Sequence, residues 1–241
     1  MLDPREEPGG LRIACNDDTA GLLIKYLAGE DSAAMDVVDM SYQQLQDCCN
    51  SQSELALSAG NFDMAVLCPD SANKLIESGQ PYFILGAVVT NSLILVTNLD
   101  NVPETAAYMN AREIQKELVW SSLGSDIVMK PMLPSALPYA LEREAVDGIV
   151  LDILGALKID GYRTPLPSVS PSAVLVVHND WLGSPELENF VKSYNLAAAE
   201  LNNTEKLTAV LADYFSLANS SEEVQVWQEM GVQYQKIVLP N

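Results

Sequence analysis

Carboxylate, amide and hydroxyl side chains cluster where predicted strands give way to predicted helices. Residues 16–19 (Asn-Asp-Asp-Thr) follow a predicted strand at residues 11–15, and Asp70 and Ser71 follow another strand that ends at Cys68. At such junctions these side chains accept hydrogen bonds from the first N–H groups of the helix, and the same N–H groups can bind a polar ligand. Helix capping and ligand contact therefore both stay open for these residues.

Four cysteines, Cys15, Cys48, Cys49 and Cys68, lie at or just beyond the carboxyl ends of predicted strands. We expect them to lie close together, as buried thiols, as one disulfide formed outside the cytosol, or as a thiolate site for a metal or reactive ligand. No C-x-x-C pair occurs, and adjacent cysteines chelate one tetrahedral ion poorly. We therefore predict no metal site and no cofactor.

Three further titratable residues end predicted strands. Asp152 has no obvious capping role and is a candidate to face a cleft, whereas Lys130, before Pro131, either meets an anionic group or is solvated. His178 is the single histidine and is more typical of a hydrogen-bonding residue at a strand end than of a general base. Because no paired acid and base is evident, we predict no catalytic residue.

The composition excludes several classes of protein. The 241 residues contain 13 Lys and Arg against 33 Asp and Glu, a formal charge of −20, which has the wrong sign for a nucleic-acid partner. A hydrophobic content of 48% excludes a disordered chain. The longest apolar candidate, residues 83–96, is too short to cross a membrane. Neither a G-x-G-x-x-G nor a P-loop motif opens a predicted helix, which removes dinucleotide and nucleoside-triphosphate binding.

Predicted strands alternate with predicted helices, which indicates an α/β fold with mostly parallel sheets and helices on both faces. Residues 1–10 form a predicted flexible tether without the features of an export signal. Strands are expected at residues 11–15, 35–40, 62–68, 82–89, 93–96, 126–130 and 173–178. Helices are expected before Gly29, at residues 51–59, 72–77 and 106–121, and after the predicted N-caps Ser184, Thr204 and Ser221.

An internal repeat divides the chain. Residues 56–74 match residues 140–158 at a constant offset of 84, without a gap. The identical pairs are Ala56/Ala140, Leu57/Leu141, Asp63/Asp147, Val66/Val150, Leu67/Leu151, Ala72/Ala156 and Lys74/Lys158. Two such distant copies favour two similar lobes over a solenoid, with chance similarity between two strand–helix units as the alternative.

Several segments together resemble one family of proteins. They are LRI at residues 11–13, ELALSAGNFDMAV at 54–66, NSLILV at 91–96, ALEREAVDGIV at 140–150 and AVLVVHNDWLGSPELENFVKSY at 173–194. In order and spacing they resemble the substrate-binding proteins of ABC importers in the nitrate, sulfonate and thiamine-precursor group, which have a type II periplasmic-binding fold. NVPETAA at residues 101–107 departs from this pattern, because many such proteins have a Gly-Lys turn there.

The resemblance implies two lobes, with residues 11–92 plus 178–241 in the first and residues 93–177 in the second. Hinges are expected near residues 91–95 and 173–177, and the ligand is expected in the cleft at the carboxyl ends of the strands. The candidate ligand-binding residues are Cys15, Asn16, Asp17, Asp18, Thr19, Cys49, Asn50, Ser51, Cys68, Asp70, Ser71, Asn91, Ser92, Lys130, Ser135 and Asp152.

The resemblance also implies a non-enzymatic, monomeric receptor outside the cytoplasm that closes over a small polar organic ligand and delivers it to an ABC permease. Such a location implies that an export signal has been removed from this sequence. The acidic composition favours a neutral or cationic ligand, although helix N-termini also bind anions. Two alternatives stay open: a cytoplasmic enzyme on the same fold in a vitamin or quinone biosynthetic pathway, and a ligand-sensing domain of a larger protein.

Overall fold

The computed structural model describes residues 10–29, 39–45, 57–167 and 170–240. The described strands are β1 (Leu11–Asn16), β2 (Met40–Leu45), β3 (Met64–Leu67), β4 (Tyr82–Thr90), β5 (Leu93–Thr97), β6 (Thr105–Met109), β7 (Val128–Met132), β8 (Gly148–Asp152), β9 (Tyr162–Pro165), β10 (Ala173–His178) and β11 (Gln233–Tyr234). The helices are α1 (Thr19–Leu27), α2 (Pro69–Glu77), α3 (Glu113–Leu123), α4 (Leu137–Glu142), α5 (Ile153–Ala156), α6 (Pro185–Leu201), α7 (Thr204–Phe215) and α8 (Ser221–Glu229). Short 3-10 helices span Pro134–Ala136 and Asn179–Trp181.

The strands form two sheets that share one plan, which confirms the predicted two-lobed α/β class. The first sheet has the order β11-β4-β10-β3-β1-β2, and the second has the order β7-β6-β8-β5-β9. In each sheet three parallel strands lie side by side, and the next strand in the sheet is antiparallel to them. This antiparallel strand is β10 in the first sheet and β5 in the second. The chain therefore crosses between the lobes twice, between β4 and β5 and between β9 and β10.

The structure confirms the internal repeat. Strands β3 and β8 begin at Met64 and Gly148, and helices α2 and α5 begin at Pro69 and Ile153, so both starts are 84 residues apart. The aspartate before each strand has the same task, because Asp63 accepts a hydrogen bond from the Arg12 N–H at 2.9 Å and Asp147 accepts one from the Thr105 N–H at 2.8 Å. Each carboxylate thus fixes the beginning of the neighbouring strand, β1 or β6.

The C-terminal helices complete the first lobe. Phe190 and Tyr194 on α6 are fully buried, and the Tyr26 hydroxyl of α1 donates to a Glu200 carboxylate oxygen at 2.8 Å. The Tyr234 hydroxyl on β11 donates to the Thr19 carbonyl at 2.9 Å, inside the core. Helix α1 is therefore held from its first turn to its last by the C-terminal third of the chain. Within the described residues no helix is both long and apolar enough to cross a membrane.

The helix predicted at residues 106–121 is wrong in its first part. Thr105–Met109 is strand β6, between β7 and β8, and the helix runs from Glu113 to Leu123. Residues 106–108 are almost completely buried. A short apolar run buried on both faces has no alternation that separates strand from helix, so its tertiary position decides.

Other boundaries also differ from the predictions. The second strand, predicted at residues 35–40, is Met40–Leu45, and residues 35–38 lie outside the described residues. Most of the helix predicted at residues 51–59 also lies outside them. Edge strand β9 (Tyr162–Pro165) was not among the predicted strands. The caps of α7 and α8 are Asn203 and Ser220, one residue before the predicted Thr204 and Ser221.

The second crossing lies earlier than predicted. All of β10 pairs with β3 and β4 in the first sheet, whereas the sequence analysis gave residues 173–177 to the second lobe and to a hinge. A strand bonded on both sides cannot absorb a hinge rotation, so the crossing lies between Pro165 and Ala173.

Candidate functional site

A cleft of about 790 Å³ lies between the two lobes. The first lobe contributes Asn16, Asp17, Asp18, Gln44 and Leu45. The second lobe contributes Met109, Arg112, Pro134, Leu151, Asp152 and Gly155. Most of these residues end a strand or directly follow one, because β1, β2, β6 and β8 all point their carboxyl ends at the cleft. This is the edge at which α/β sheets bind ligands.

Asp152 joins the two lobes at the back of the cleft. One of its carboxylate oxygens accepts hydrogen bonds from the Thr19 N–H at 3.0 Å, the Thr19 hydroxyl at 2.6 Å and the Leu154 N–H at 3.2 Å. Burial raises the pKa of Asp152, and hydrogen bonds from Thr19, Ser92 and Leu154 offset this only in part. The capping role that was not obvious from the sequence is clear in the structure, because Asp152 caps α5 and also binds the first residue of α1.

Asp70 makes the complementary contact in the other direction. Its carboxylate, at the start of α2 in the first lobe, accepts the Ile114 N–H at 3.3 Å in the first turn of α3. Arg112, the residue at the N-cap position of α3, makes no side-chain capping bond. Each lobe therefore supplies a carboxylate to the first turn of a helix in the other lobe.

A third contact between the lobes lies at the rim. The Tyr214 hydroxyl of α7 hydrogen bonds to Asp17, and burial together with Asp17 raises the pKa of this hydroxyl. From the second lobe, the Lys158 ammonium reaches the same hydroxyl at 3.3 Å and lies 5.0 Å from the ring centroid. Tyr214 thus connects a residue that lines the cleft with the opposite lobe.

The turn at residues 16–18 forms the first wall of the cleft. Asp18 caps α1 by accepting the Gly21 N–H at 2.9 Å, and its other oxygen accepts from the Asn16 amide nitrogen at 3.3 Å. The Asn16 amide oxygen is buried without a hydrogen-bond partner among the described residues. Gly21 is required here, because a Cβ at this position would lie 1.7 Å from the Asn16 carbonyl oxygen.

Arg112 forms the opposite wall and was missed by the sequence analysis. It is only 8% exposed and lines both the cleft and a small pocket behind it, where about 10 Å³ remains, the space of about one water molecule. Candidate residues were sought where a predicted strand ends and a helix begins. Because residue 112 fell in the middle of the helix wrongly predicted at residues 106–121, it was not considered. The signal that identifies it is an arginine directly before Glu113, at a strand-to-helix turn.

Only some of the predicted site residues line the cleft; others line the small pocket, and others lie in neither lining. Those that line the cleft are Asn16, Asp17, Asp18 and Asp152. Those that line the small pocket behind it include Cys68 and Ser92. Those in neither lining are Cys15, Thr19, Asp70, Ser71, Asn91, Lys130 and Ser135. Cys49, Asn50 and Ser51 lie outside the described residues, as does Cys48.

Several of these side chains have structural partners instead. Cys15 and Cys68 are buried free thiols, so no disulfide joins this pair, and burial raises the pKa of Cys15 to about 12. The Asn91 amide donates to the Gly231 carbonyl at 3.1 Å, and the Lys130 ammonium donates to the Ala145 carbonyl at 3.3 Å. Ser135 is exposed on a 3-10 turn.

His178 behaves as predicted for a strand-end residue. Its Nδ1 accepts the Asp180 N–H at 3.3 Å, which caps the short helix Asn179–Trp181. No group of three or more His, Cys, Asp or Glu side chains suited to a metal ion occurs in the part of the chain that the structure describes.

Comparison with solved structures shows the fold. The ligand-binding component of an ABC-type import system from Staphylococcus aureus, solved with zinc bound, has a TM-score of 0.70 at 14% identity, covering 96% of this chain and 87% of that one. The alkanesulfonate-binding protein of Xanthomonas axonopodis pv. citri, bound to MOPS, has a TM-score of 0.66 at 17% identity and 95% and 87% coverage.

A Candida albicans gene product, described as defining a new family with the generic periplasmic binding protein fold, has a TM-score of 0.62 at 17% identity, covering 95% of this chain and 83% of that one. No protein-family model matches the sequence, and no curated protein matches it. The chain therefore has the periplasmic-binding-protein fold that its sequence segments resemble, and it shares this fold with solved proteins of low sequence identity.

Proposed function

We propose that this chain is an extracytoplasmic solute-binding receptor that closes its two lobes over a small polar organic ligand and presents it to an ABC permease. The observation that carries the proposal is the cleft of about 790 Å³, lined by charged and polar side chains from both lobes. Its volume lies within the range of about 300 to 1,000 Å³ that is usual for ligand pockets.

The two crossings supply a hinge for closure. Asn91 and Ser92 connect β4 to β5, and the Ser92 N–H donates to the Ser172 hydroxyl on the returning segment at 3.0 Å. The crossings are therefore adjacent, which permits one lobe to rotate against the other about a single axis. We place the lobe boundaries at these crossings, with residues 11–91 and 173–241 in the first lobe and residues 92–172 in the second.

The kinds of solved proteins that share the fold support a receptor. The Staphylococcus aureus protein is the ligand-binding component of an import system, and the Xanthomonas protein is an alkanesulfonate-binding protein bound to MOPS. We further propose that the receptor is a monomer. The Candida albicans gene product defines a family of its own with the same fold, and one fold can host different functions, so fold and transport need separate tests.

Ligand binding is the direct test. We expect native mass spectrometry of gently purified protein to detect a retained small molecule. Adding this molecule to protein from which the ligand has been removed should raise the melting temperature and reduce the radius of gyration. A ligand at about 100 times its Kd adds about 2.7 kcal/mol to the free energy of unfolding.

A variant that fills the cleft tests the binding site, and an equivalent substitution elsewhere is its matched control. Gly155 lines the cleft, and a Cβ there would meet only Leu151 at 3.8 Å, so Gly155→Phe adds a ring to the cavity without a backbone clash. We expect it to abolish binding, while Ser125→Phe, at an exposed loop, binds normally. Unchanged melting and scattering across a broad metabolite panel, with no retained molecule, would contradict the receptor. Turnover of a bound compound that Asp152→Asn abolishes would favour the enzyme.

A further inference from the structure

The two walls of the cleft carry opposite charges. Asp17 and Asp18 lie on the first lobe, and Arg112 lies on the second. Leu45 and Leu151, with Met109, add apolar surface to the same lining. A cavity of about 790 Å³ has room for a molecule that touches both walls and this apolar surface. The charge pattern of the lining therefore constrains the ligand more closely than the net charge of the chain does.

The first wall offers acceptors. Asp17 is exposed at the cleft. Within the described residues the Tyr214 hydroxyl donates a hydrogen bond to its carboxylate, which has several acceptor positions. The buried amide oxygen of Asn16 has no hydrogen-bond partner within the described part of the chain. A buried acceptor without a partner costs free energy that a ligand donor recovers. A protonated nitrogen supplies both the charge and the donors that this wall lacks.

The second wall offers donors. Arg112 is 92% buried, keeps its charge at all physiological pH values, and has five N–H donors and no acceptor. It already interacts within the protein, and its planar fork can hold a second acceptor at the same time. A planar or tetrahedral acidic group is the complement of this wall.

We propose that the cleft binds a small zwitterion. Its protonated nitrogen contacts Asn16 and Asp17, its acidic group contacts Arg112, and its apolar body lies over Leu45, Met109 and Leu151. This inference rests on the proposed receptor function and specifies the ligand class of the same site. The third carboxylate of the lining, Asp152, already accepts hydrogen bonds from Thr19 and Leu154 at one oxygen and a further hydrogen bond from Ser92, so no ligand contact is assigned to it.

Matched probes test the two charges separately. Isothermal titration calorimetry compares 4-aminobutanoate, 6-aminohexanoate and 8-aminooctanoate with the alkylamine and the alkanoate of each length. We expect one amino acid of the series to bind at least about tenfold more tightly than both of its singly charged partners, since each partner leaves one wall without its complement. The preferred length reports the separation of the walls.

Variants assign each charge to a wall. Arg112→Gln is expected to make the amino acid bind no better than the amine, with partial recovery in Arg112→Lys. Asp17→Asn, at an exposed position, is expected to make the amino acid bind no better than the alkanoate. Asp126→Asn, exposed before β7 at the far end of the sheet, is the matched control and should leave the Kd unchanged. An amine that binds as tightly as the amino acid would overturn the inference.

The retained molecule separates this inference from the proposed function. A ligand identified by tandem mass spectrometry that carries both a basic nitrogen and an acidic group supports both. A ligand that lacks either group overturns the zwitterion and leaves the receptor standing. No retained molecule and no binding by any probe would contradict both proposals.

Discussion

Asp152 and Thr19 hold the two lobes together through a single carboxylate oxygen. The Thr19 N–H donates to it at 3.0 Å and the Thr19 hydroxyl at 2.6 Å. The same oxygen accepts the Leu154 N–H at 3.2 Å. Because α1 belongs to the first lobe and α5 to the second, one side chain caps a helix in each lobe.

Asp152→Ala removes these acceptors together. We expect it to lower the free energy of unfolding by about 2 to 3 kcal/mol, because the buried N–H groups of two helices lose their partner. We also expect a larger radius of gyration by small-angle X-ray scattering, since the lobes lose a direct contact. Asp160→Ala, at an exposed position of the same lobe, is the control. Equal urea midpoints for the two variants would show that Asp152 does not join the lobes.

The Arg12–Asp63 pair predicts how stability depends on acid. Burial alone would raise the pKa of Asp63, but its hydrogen bonds to Arg12, at 2.9 Å to the side chain and to the N–H, outweigh this and lower it. Since the folded pKa lies below the unfolded value of about 3.9, the stabilisation is present above that value and is lost as the pH falls through the folded pKa.

Asp63→Asn should therefore cost about 1 to 2 kcal/mol at neutral pH and less at about pH 2. Urea unfolding at a series of pH values measures the difference between variant and parent. Asp147→Asn is the matched control, because Asp147 binds the Thr105 N–H in the second lobe as Asp63 binds the Arg12 N–H in the first. A constant difference for Asp63→Asn at every pH would contradict the assignment.

Cys15 is expected to be unreactive in the folded protein. It is 1% exposed, and burial raises its pKa to about 12, so at about pH 8 only about one thiol in ten thousand is ionised. Peptide mapping after brief iodoacetamide treatment should recover the Cys15 peptide unmodified, and the same treatment in denaturant should alkylate it fully. Rapid native alkylation of Cys15 would show that this strand is not buried.

We expect the free energy of unfolding to depend on whether the residue at position 91 is branched at Cβ. Asn91 has φ of 59° at the first crossing, and its amide donates to the Gly231 carbonyl at 3.1 Å. Asn91→Val places a β-branched residue in the left-handed region and loses this bond, which should cost about 2 to 3 kcal/mol. Asn91→Gly also loses the bond to Gly231 but accepts the left-handed backbone, so it should cost less than Asn91→Val does. Denaturant unfolding compares the two, and equal losses would remove the backbone explanation.

Local patterns in the sequence determined the class, the repeat and much of the element order. Helix α1 after Asp18 and helix α6 after Ser184 follow from apolar periodicity and capping side chains, both of which act over a few residues. The repeat at residues 56–74 and 140–158 indicated two lobes, because both copies must bury the same strand face. Asn16, Asp17 and Asp18 were identified as cleft candidates since a strand-to-helix turn presents its side chains at the sheet edge.

Only the tertiary structure decided which residues meet across the cleft. Nothing near Asp152 in the sequence indicates that Thr19, 133 residues away, donates to it, and nothing near Arg112 indicates that it lines the same cleft as Asp17. Strand β6 was mistaken for a helix because its residues are buried without alternation, and its pairing with β7 and β8 depends on segments distant in the sequence. Capping and periodicity are short-range effects, whereas the charge pattern of the cleft arises from turns that only the packing of two sheets brings together.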